Sequence, residues 1–232
     1  MKKTACLLFS VATLNPAQAA INLFDTPNTS VTTNLSAGVS NWSTSVYNFG
    51  SVATTRTVSQ FGISGSSPAT SNLRNANPFG LVQGRELNMS NGGDLSYRCS
   101  VVYGSFGPTG SPGAQPDMNL NLGNLGDGFR FVHSFSEFGV PMVTISIYSN
   151  GVLYSAPAIN LASTFGNKND VYNVPFSAFP SSAIADMDWL SFDVVTPSSN
   201  DMAIANFEII PEPSSVVLLS FAGGACTLRR RR

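Results

Sequence analysis

Between Val143 and Tyr148 the chain alternates strictly, with Val143, Ile145 and Ile147 set against Thr144, Ser146 and Tyr148, and the same two-residue beat recurs along much of its length. Successive side chains leave a β-strand on opposite faces, so a period of two specifies half-buried strands, whereas a helix would need apolar residues three and four apart. Asn150-Gly151 follows at once and precedes Val152-Leu153-Tyr154; that dipeptide suits the type I′ hairpin turn, which needs positive φ at both central positions. Leu95 to Tyr103 reads as another strand with Tyr97, Cys99, Val101 and Tyr103 on one face, and Arg85 to Met89 precedes it across the loop Ser90 to Asp94. Val52 to Ile63, Gly128 to Phe135, Val171 to Val174, Leu190 to Val195 and Met202 to Ile210 complete the set of strand-like runs. Clusters of Gly, Pro, Ser and Asn separate them, notably Gly104 to Pro116, and only Ser182 to Met187 suits a short turn or helical cap. Many short strands without interleaved helices specify an all-β fold, a two-layer antiparallel β-sandwich.

The two ends of the chain follow other rules. Met1-Lys2-Lys3 is a basic start, Ala5 to Leu14 is mostly apolar, and Ala17-Gln18-Ala19 is a small-x-small site. Together they predict a helical secretory signal peptide over residues 1–19, removed by signal peptidase after Ala19 to leave Ala20 first. At the other end, Pro211-Glu212-Pro213 is followed by the uncharged run Ser214 to Leu228 and then Arg229, Arg230, Arg231 and Arg232. A helix over that run reaches only ~22 Å against a hydrocarbon core of ~30 Å, a short membrane anchor that spans with the help of its flanks. Arginines are retained on the cytoplasmic side, which orients everything before Glu212 outward.

A Pro-Glu-Pro tripeptide, a short apolar helix and a terminal arginine cluster, on a chain with a signal peptide, resemble the PEP-CTERM sorting signal of Gram-negative bacteria. Pro211, Glu212 and Pro213 match its motif residue by residue, and Arg229 to Arg232 match its basic end. The resemblance covers about a tenth of the chain. It implies processing by an exosortase, a membrane-embedded transpeptidase-like cysteine enzyme, in organisms that make extracellular polysaccharide. It also divides the chain into a signal peptide over 1–19, a domain over 20–210 and a sorting signal over 211–232.

Residues 20–210 carry six basic and twelve acidic residues, a net charge of −6 that the near-neutral whole chain conceals. An acidic domain without basic clusters excludes nucleic acid as a partner, because phosphate contacts need lysine and arginine. Cys6 and Cys226 lie in the end signals, so Cys99 remains alone in the domain and no internal disulfide can form. Cys99 sits in an alternating apolar stretch, matches no nucleophile motif, and reads as a buried thiol. His133 is the only histidine and shares strand parity with Phe129, Phe131 and Phe135, which marks it as a core or interface residue. One cysteine and one histidine do not make a zinc site, so no metal and no cofactor is expected. Asp186-Met187-Asp188 reads as turn capping, and Gly123 to Gly128 precedes a strand, not the helix that a phosphate cradle needs.

The passage Val174-Pro175-Phe176-Ser177-Ala178-Phe179, then Asp188 to Asp193, then the closing Phe207-Glu208-Ile209-Ile210, resembles the end of jelly-roll carbohydrate-binding-type sandwiches. That likeness spans about forty residues and implies a jelly-roll-like wrap. Sugar binding needs exposed aromatic rings beside groups that bond hydroxyls. Trp42 beside Asn41, Tyr47 beside Asn48, and Tyr148 on the polar face of its strand are the candidates; Trp189, in an apolar stretch, reads as core. No nucleophile–base pair appears, and Glu86, Glu137 and Glu208 read as solvated strand residues, so no catalytic residue is assigned. The sequence therefore predicts an exported, exosortase-processed, non-enzymatic surface or matrix protein. It would pass through an inner-membrane intermediate and bind extracellular polysaccharide or matrix partners. The alternative is a secreted glycan-active enzyme, a glycoside hydrolase or lyase, on the same scaffold.

Overall fold

The computed structural model describes residues 20–25, 28–49, 52–74, 85–104, 118–137, 139–162 and 166–211. The chain forms β1 (Ile21–Asn22), β2 (Thr29–Ser36), β3 (Ser40–Phe49), β4 (Val52–Ser64), β5 (Ser66–Arg74), β6 (Glu86–Asn91) and β7 (Ser96–Tyr103). It continues with β8 (Gly128–Ser136), β9 (Met142–Ser149), β10 (Val152–Ser155), β11 (Ile159–Asn160) and β12 (Gly166–Pro175). One short helix, α1 (Ser181–Ala185), precedes β13 (Trp189–Thr196) and β14 (Met202–Ile210). The first sheet runs β12-β8-β14-β6-β5-β2 with β1 also on β14, and the second runs β10-β9-β13-β7-β4-β3 with β11 also on β9. This is the expected all-β, two-layer antiparallel sandwich. The last two strands, β13 and β14, enter the middle of the second and first sheet respectively, so neither sheet is complete until the end of the domain is in place.

The alternation of the sequence is what fills the space between the layers. Tyr97, Cys99, Val101 and Tyr103 of β7 are all sealed inside, as their shared face predicts, and Leu190, Phe192 and Val194 of β13 join them. Phe192 is the hub: its ring lies 4.4 Å from Phe207, 5.3 Å from Phe131 and 5.6 Å from Phe24, centroid to centroid. The Asn150-Gly151 turn forms between β9 and β10 as expected, with φ of 50° and 82° at its two central residues. Asp186 and Asp188 brace that turn, as their capping role implies: Asp188 Oδ2 accepts from the Asn150 N–H at 2.8 Å and Asp186 Oδ2 from its side-chain amide at 3.0 Å.

Strands β2, β3 and β5 are additions that the apolar pattern does not reveal, because Ser, Thr and Asn occupy most of their outward positions. The segment around β1 is a second addition. Leu23 and Phe24 insert into the core, and the fully buried Arg56 holds them there. Arg56 Nη1 donates to the carbonyls of Asp25 and, at 3.5 Å, Leu23, while its guanidinium lies 5.5 Å from the centre of the Tyr47 ring. The Tyr103 hydroxyl donates to the Leu23 carbonyl as well, and the Tyr47 hydroxyl to that of Asn22 at 3.0 Å.

Ala20 and Pro211 bound the described residues. Residues 1–19, with Ala17 and Ala19, and residues 212–232, with Glu212, Pro213 and Arg229 to Arg232, lie outside them, as do the two helices expected there. Among the described residues no helix is long and apolar enough to cross a membrane.

Neighbouring residues of β13 provide a direct check of the layering. Phe192→Ala should cost about 3–5 kcal/mol through the cavity it leaves, whereas Ser191→Ala, which removes one 2.7 Å hydrogen bond to Asp193 on the outer face, should cost about 1 kcal/mol. Urea unfolding curves of the two variants measure the difference.

Candidate functional site

Because Phe192 and Val194 point inward, Trp189, Ser191 and Asp193 point out of the second sheet, and the pairing register carries that outer face across five further strands. Trp42, Ser59, Ser100, Asp193 and Thr144 form one row across β3, β4, β7, β13 and β9. A second row sets Ser40, Phe61 and Arg98 side by side, and a third sets Trp189 beside Tyr148 and Leu153. A groove of about 370 Å³ runs over these rows, with Trp42 and Phe61 toward one end and Trp189 and Leu153 toward the other. Its floor is made of short side chains, Ser100, Ser146 and Ser191 among them, and all three are buried.

The polar groups of the groove are held in place. Asp193 accepts from the Ser100 hydroxyl through Oδ1 and from the Ser191 hydroxyl at 2.7 Å through Oδ2. Ser146 and Ser155 share a 2.8 Å hydrogen bond. Arg98 is exposed, with its guanidinium carbon 5.6 Å from the centre of the Phe61 ring, a cation–π contact that orients its donors. Trp189 stacks on Tyr148 at 5.4 Å with the planes 10° apart. Gly104 makes that position possible: its φ is +118°, and a Cβ there would come within 2.5 Å of the Trp189 Cβ.

The aromatic candidates separate by exposure. Trp42 is 43 % exposed and lines the groove. Tyr47 is 5 % exposed, and its ring packs against Phe49 and Tyr103, so it is no exposed platform. The reason is parity: Tyr47 and Phe49 share the inward face of β3, opposite to Trp42. Tyr148 lies on the outer face but is half-buried behind Trp189, as a support for the ring that lines the groove. Trp189, expected in the core, instead faces the groove. The signal that finds it is the alternation of β13, which sets it with Asp193 and against Leu190 and Phe192; local apolarity masks that signal.

Other titratable groups lie elsewhere. His133 is fully buried, as its parity predicts. Burial pushes the Cys99 thiol up to about 12, which leaves it an unreactive core residue. Glu208 pairs with Arg130 at 2.6 Å, on the first sheet. Glu86, also on the first sheet, is not solvated as the sequence suggests. It is buried on β6, 3.8 Å from Arg74, and burial raises its carboxyl to about 7 against the opposing pull of that guanidinium. Asp193 is the one carboxylate among the described residues that line the groove. No group of three or more potential metal ligands occurs among the described residues.

No protein-family model and no curated protein matches the chain. Among solved structures, the enzymatically active domain of tailspike protein 4 of bacteriophage CBA120 aligns at 15 % identity and a TM-score of 0.39 over 66 % of this chain, which spans 19 % of that domain. The family 11 carbohydrate-binding module of cellulase Lic26A-Cel5E of Clostridium thermocellum aligns at 14 % identity and a TM-score of 0.36, covering 84 % of this chain and 96 % of the module. TmCBM61, solved with β-1,4-galactotriose, aligns at 14 % identity and a TM-score of 0.34, covering 72 % of this chain and 86 % of that one. Similarity at this level carries no argument about what the groove binds.

Glu86 makes the stability of the domain depend on pH. Its folded-state value, about 7, lies above the usual 4.5, so between these values the folded chain holds a proton that the unfolded chain has lost, and stability falls as pH rises through that window. Unfolding measured from pH 4.5 to 8 should show that decline, and Glu86→Gln should flatten it.

Proposed function

We propose that the chain is an exported, non-enzymatic protein of the cell surface or extracellular matrix whose sandwich, jelly-roll-like in its wrap, binds polysaccharide in the groove of the second sheet. The observation that carries this reading is the composition of the groove. Aromatic faces stand toward its two ends, and between them lie serine hydroxyls, the oriented guanidinium of Arg98 and the carboxylate of Asp193. Sugar rings present an apolar face of C–H bonds and a rim of hydroxyls that both donate and accept. Aromatic rings serve the first, and an Arg, Asp and Ser set serves the second.

The enzyme alternative asks for more than this groove offers. Glycoside hydrolysis commonly uses two carboxyl groups on either side of the bond, about 5 to 9.5 Å apart. Asp193 stands without a second acid among the described groove residues, and both of its oxygens already accept serine hydroxyls. Glu86 has the raised pKa of a general acid, but it is buried on the opposite sheet. The purified chain, screened on a polysaccharide array, should bind at least one glycan without shortening it. Trp42→Ala, at an exposed position, should weaken that binding by about tenfold, as loss of a central aromatic contact does. Release of shorter oligosaccharides would favour the enzyme.

Export and sorting rest on the residues at the two ends. Signal peptidase would act after Ala19, and an exosortase would recognise Pro211-Glu212-Pro213, with the short apolar run as a transient inner-membrane anchor and Arg229 to Arg232 inside. Strand β14 runs to Ile210, so the folded domain abuts Pro211 without a spacer. Deletion of residues 211–232 should move the protein from the envelope to the soluble exported fraction. Unchanged fractionation with an unchanged mature mass would overturn the sorting assignment.

A further inference from the structure

The charge of the groove narrows the class of polymer it accepts, a step that rests on the polysaccharide reading above. Residues 20–210 carry a net charge of −6, and most of their few cations are committed elsewhere. Arg56 is sealed in the core, while Arg74, Arg85 and Arg130 lie 3.8, 3.0 and 2.6 Å from the carboxylates of Glu86, Asp25 and Glu208. Among the described groove residues Arg98 is the one cation and Asp193 the one anion, placed diagonally on the adjacent strands β7 and β13, where Arg98 faces Val195 and Ser100 faces Asp193. The groove is thus electroneutral in a domain that is acidic as a whole.

A polyanionic chain would approach such a domain against its long-range field, find a single guanidinium, and set its own acidic groups beside Asp193. Tight binding of polyanions is built from several basic contacts and weakens steeply with salt. An uncharged chain meets no such barrier, and its hydroxyls can accept from Arg98 and donate to the lone pairs that Asp193 keeps beside its two serine bonds. The two aromatic ends also set a length. Trp42 and Trp189 are separated by three strand spacings across the sheet and four residues along it, about 20 Å in all, which exceeds a single sugar ring several times over. We infer that the groove takes an extended stretch of a neutral polysaccharide, laid obliquely across the strands between Trp42 and Trp189.

Native gel electrophoresis of the purified chain through gels containing soluble neutral glucans or galactans, or the polyuronates alginate and polygalacturonate, tests this at low and at high salt. Retardation by a neutral polymer is expected, with little change on adding salt and about tenfold weaker in Trp42→Ala and in Trp189→Ala. Neither polyuronate should retard the chain. Trp42→Phe and Trp189→Phe keep a ring at each position and should retain most of the binding, which separates loss of a contact from loss of the fold. Retardation by a polyuronate that fades with salt and needs the two tryptophans would overturn neutral selectivity while leaving the groove in place. No retardation by any polymer, or retardation by a neutral polymer indifferent to both tryptophans, would remove the groove reading and this inference with it.

Discussion

The ring of Phe192 touches aromatic side chains from three other segments of the chain, and both sheets are held against one another through those contacts. Phe24 comes from the segment after β1, Phe131 from β8 and Phe207 from β14, so one inward-facing residue of a central strand of the second sheet gathers pieces of the first. Edge-to-face aromatic contacts such as Phe24–Phe192 add specificity to the general gain from burying apolar area, because they fix the angle as well as the distance between rings. Since side chains alternate, anchoring Phe192 inward fixes Trp189, Ser191 and Asp193 outward. The groove is therefore a consequence of how the core is packed, and its polar floor could not turn inward without exposing the aromatic hub.

Arg56 solves a different problem at the margin of the same core. A buried guanidinium is costly unless its donors are satisfied, and here backbone carbonyls do much of that work. The arrangement serves both partners. The segment after β1 has few ladder partners of its own, and Arg56 and Tyr103 supply donors to its Leu23 and Asp25 carbonyls. Tyr47 is committed twice, as a ring beside the cation and as a donor to Asn22.

The layered fold was legible wherever apolar and polar residues alternate sharply, as in β7, β9 and β13, because burial on one face selects for that pattern. It was not legible in β2, β3 and β5, where small polar residues take most outward positions and strand pairing does what hydrophobicity does elsewhere. Parity also held the information that the candidate site needed. It separated Trp42 from Tyr47 and set Trp189 beside Asp193, yet an aromatic residue in an apolar neighbourhood looks like core until its neighbours are assigned to faces. The register that aligns Trp42 with Asp193 across four strands lay beyond reach, since it depends on strand order, and strand order is set by long-range packing. The burial of Glu86 was hidden for the same reason.

Strand β1 pairs with β14 through Ile21 opposite Ile209 and Asn22 opposite Glu208, so residue 20 and residue 211 leave the sandwich side by side at one pole. Tension applied between these two points loads an antiparallel pair at its open end, where hydrogen bonds break singly, in succession, and do not share the force. A two-residue strand resists such peeling weakly. The next obstacle is the grip of the buried Arg56 side chain on the carbonyls of Leu23 and Asp25, and it is this clamp that stands between a tug on the ends and the mechanical opening of the sandwich.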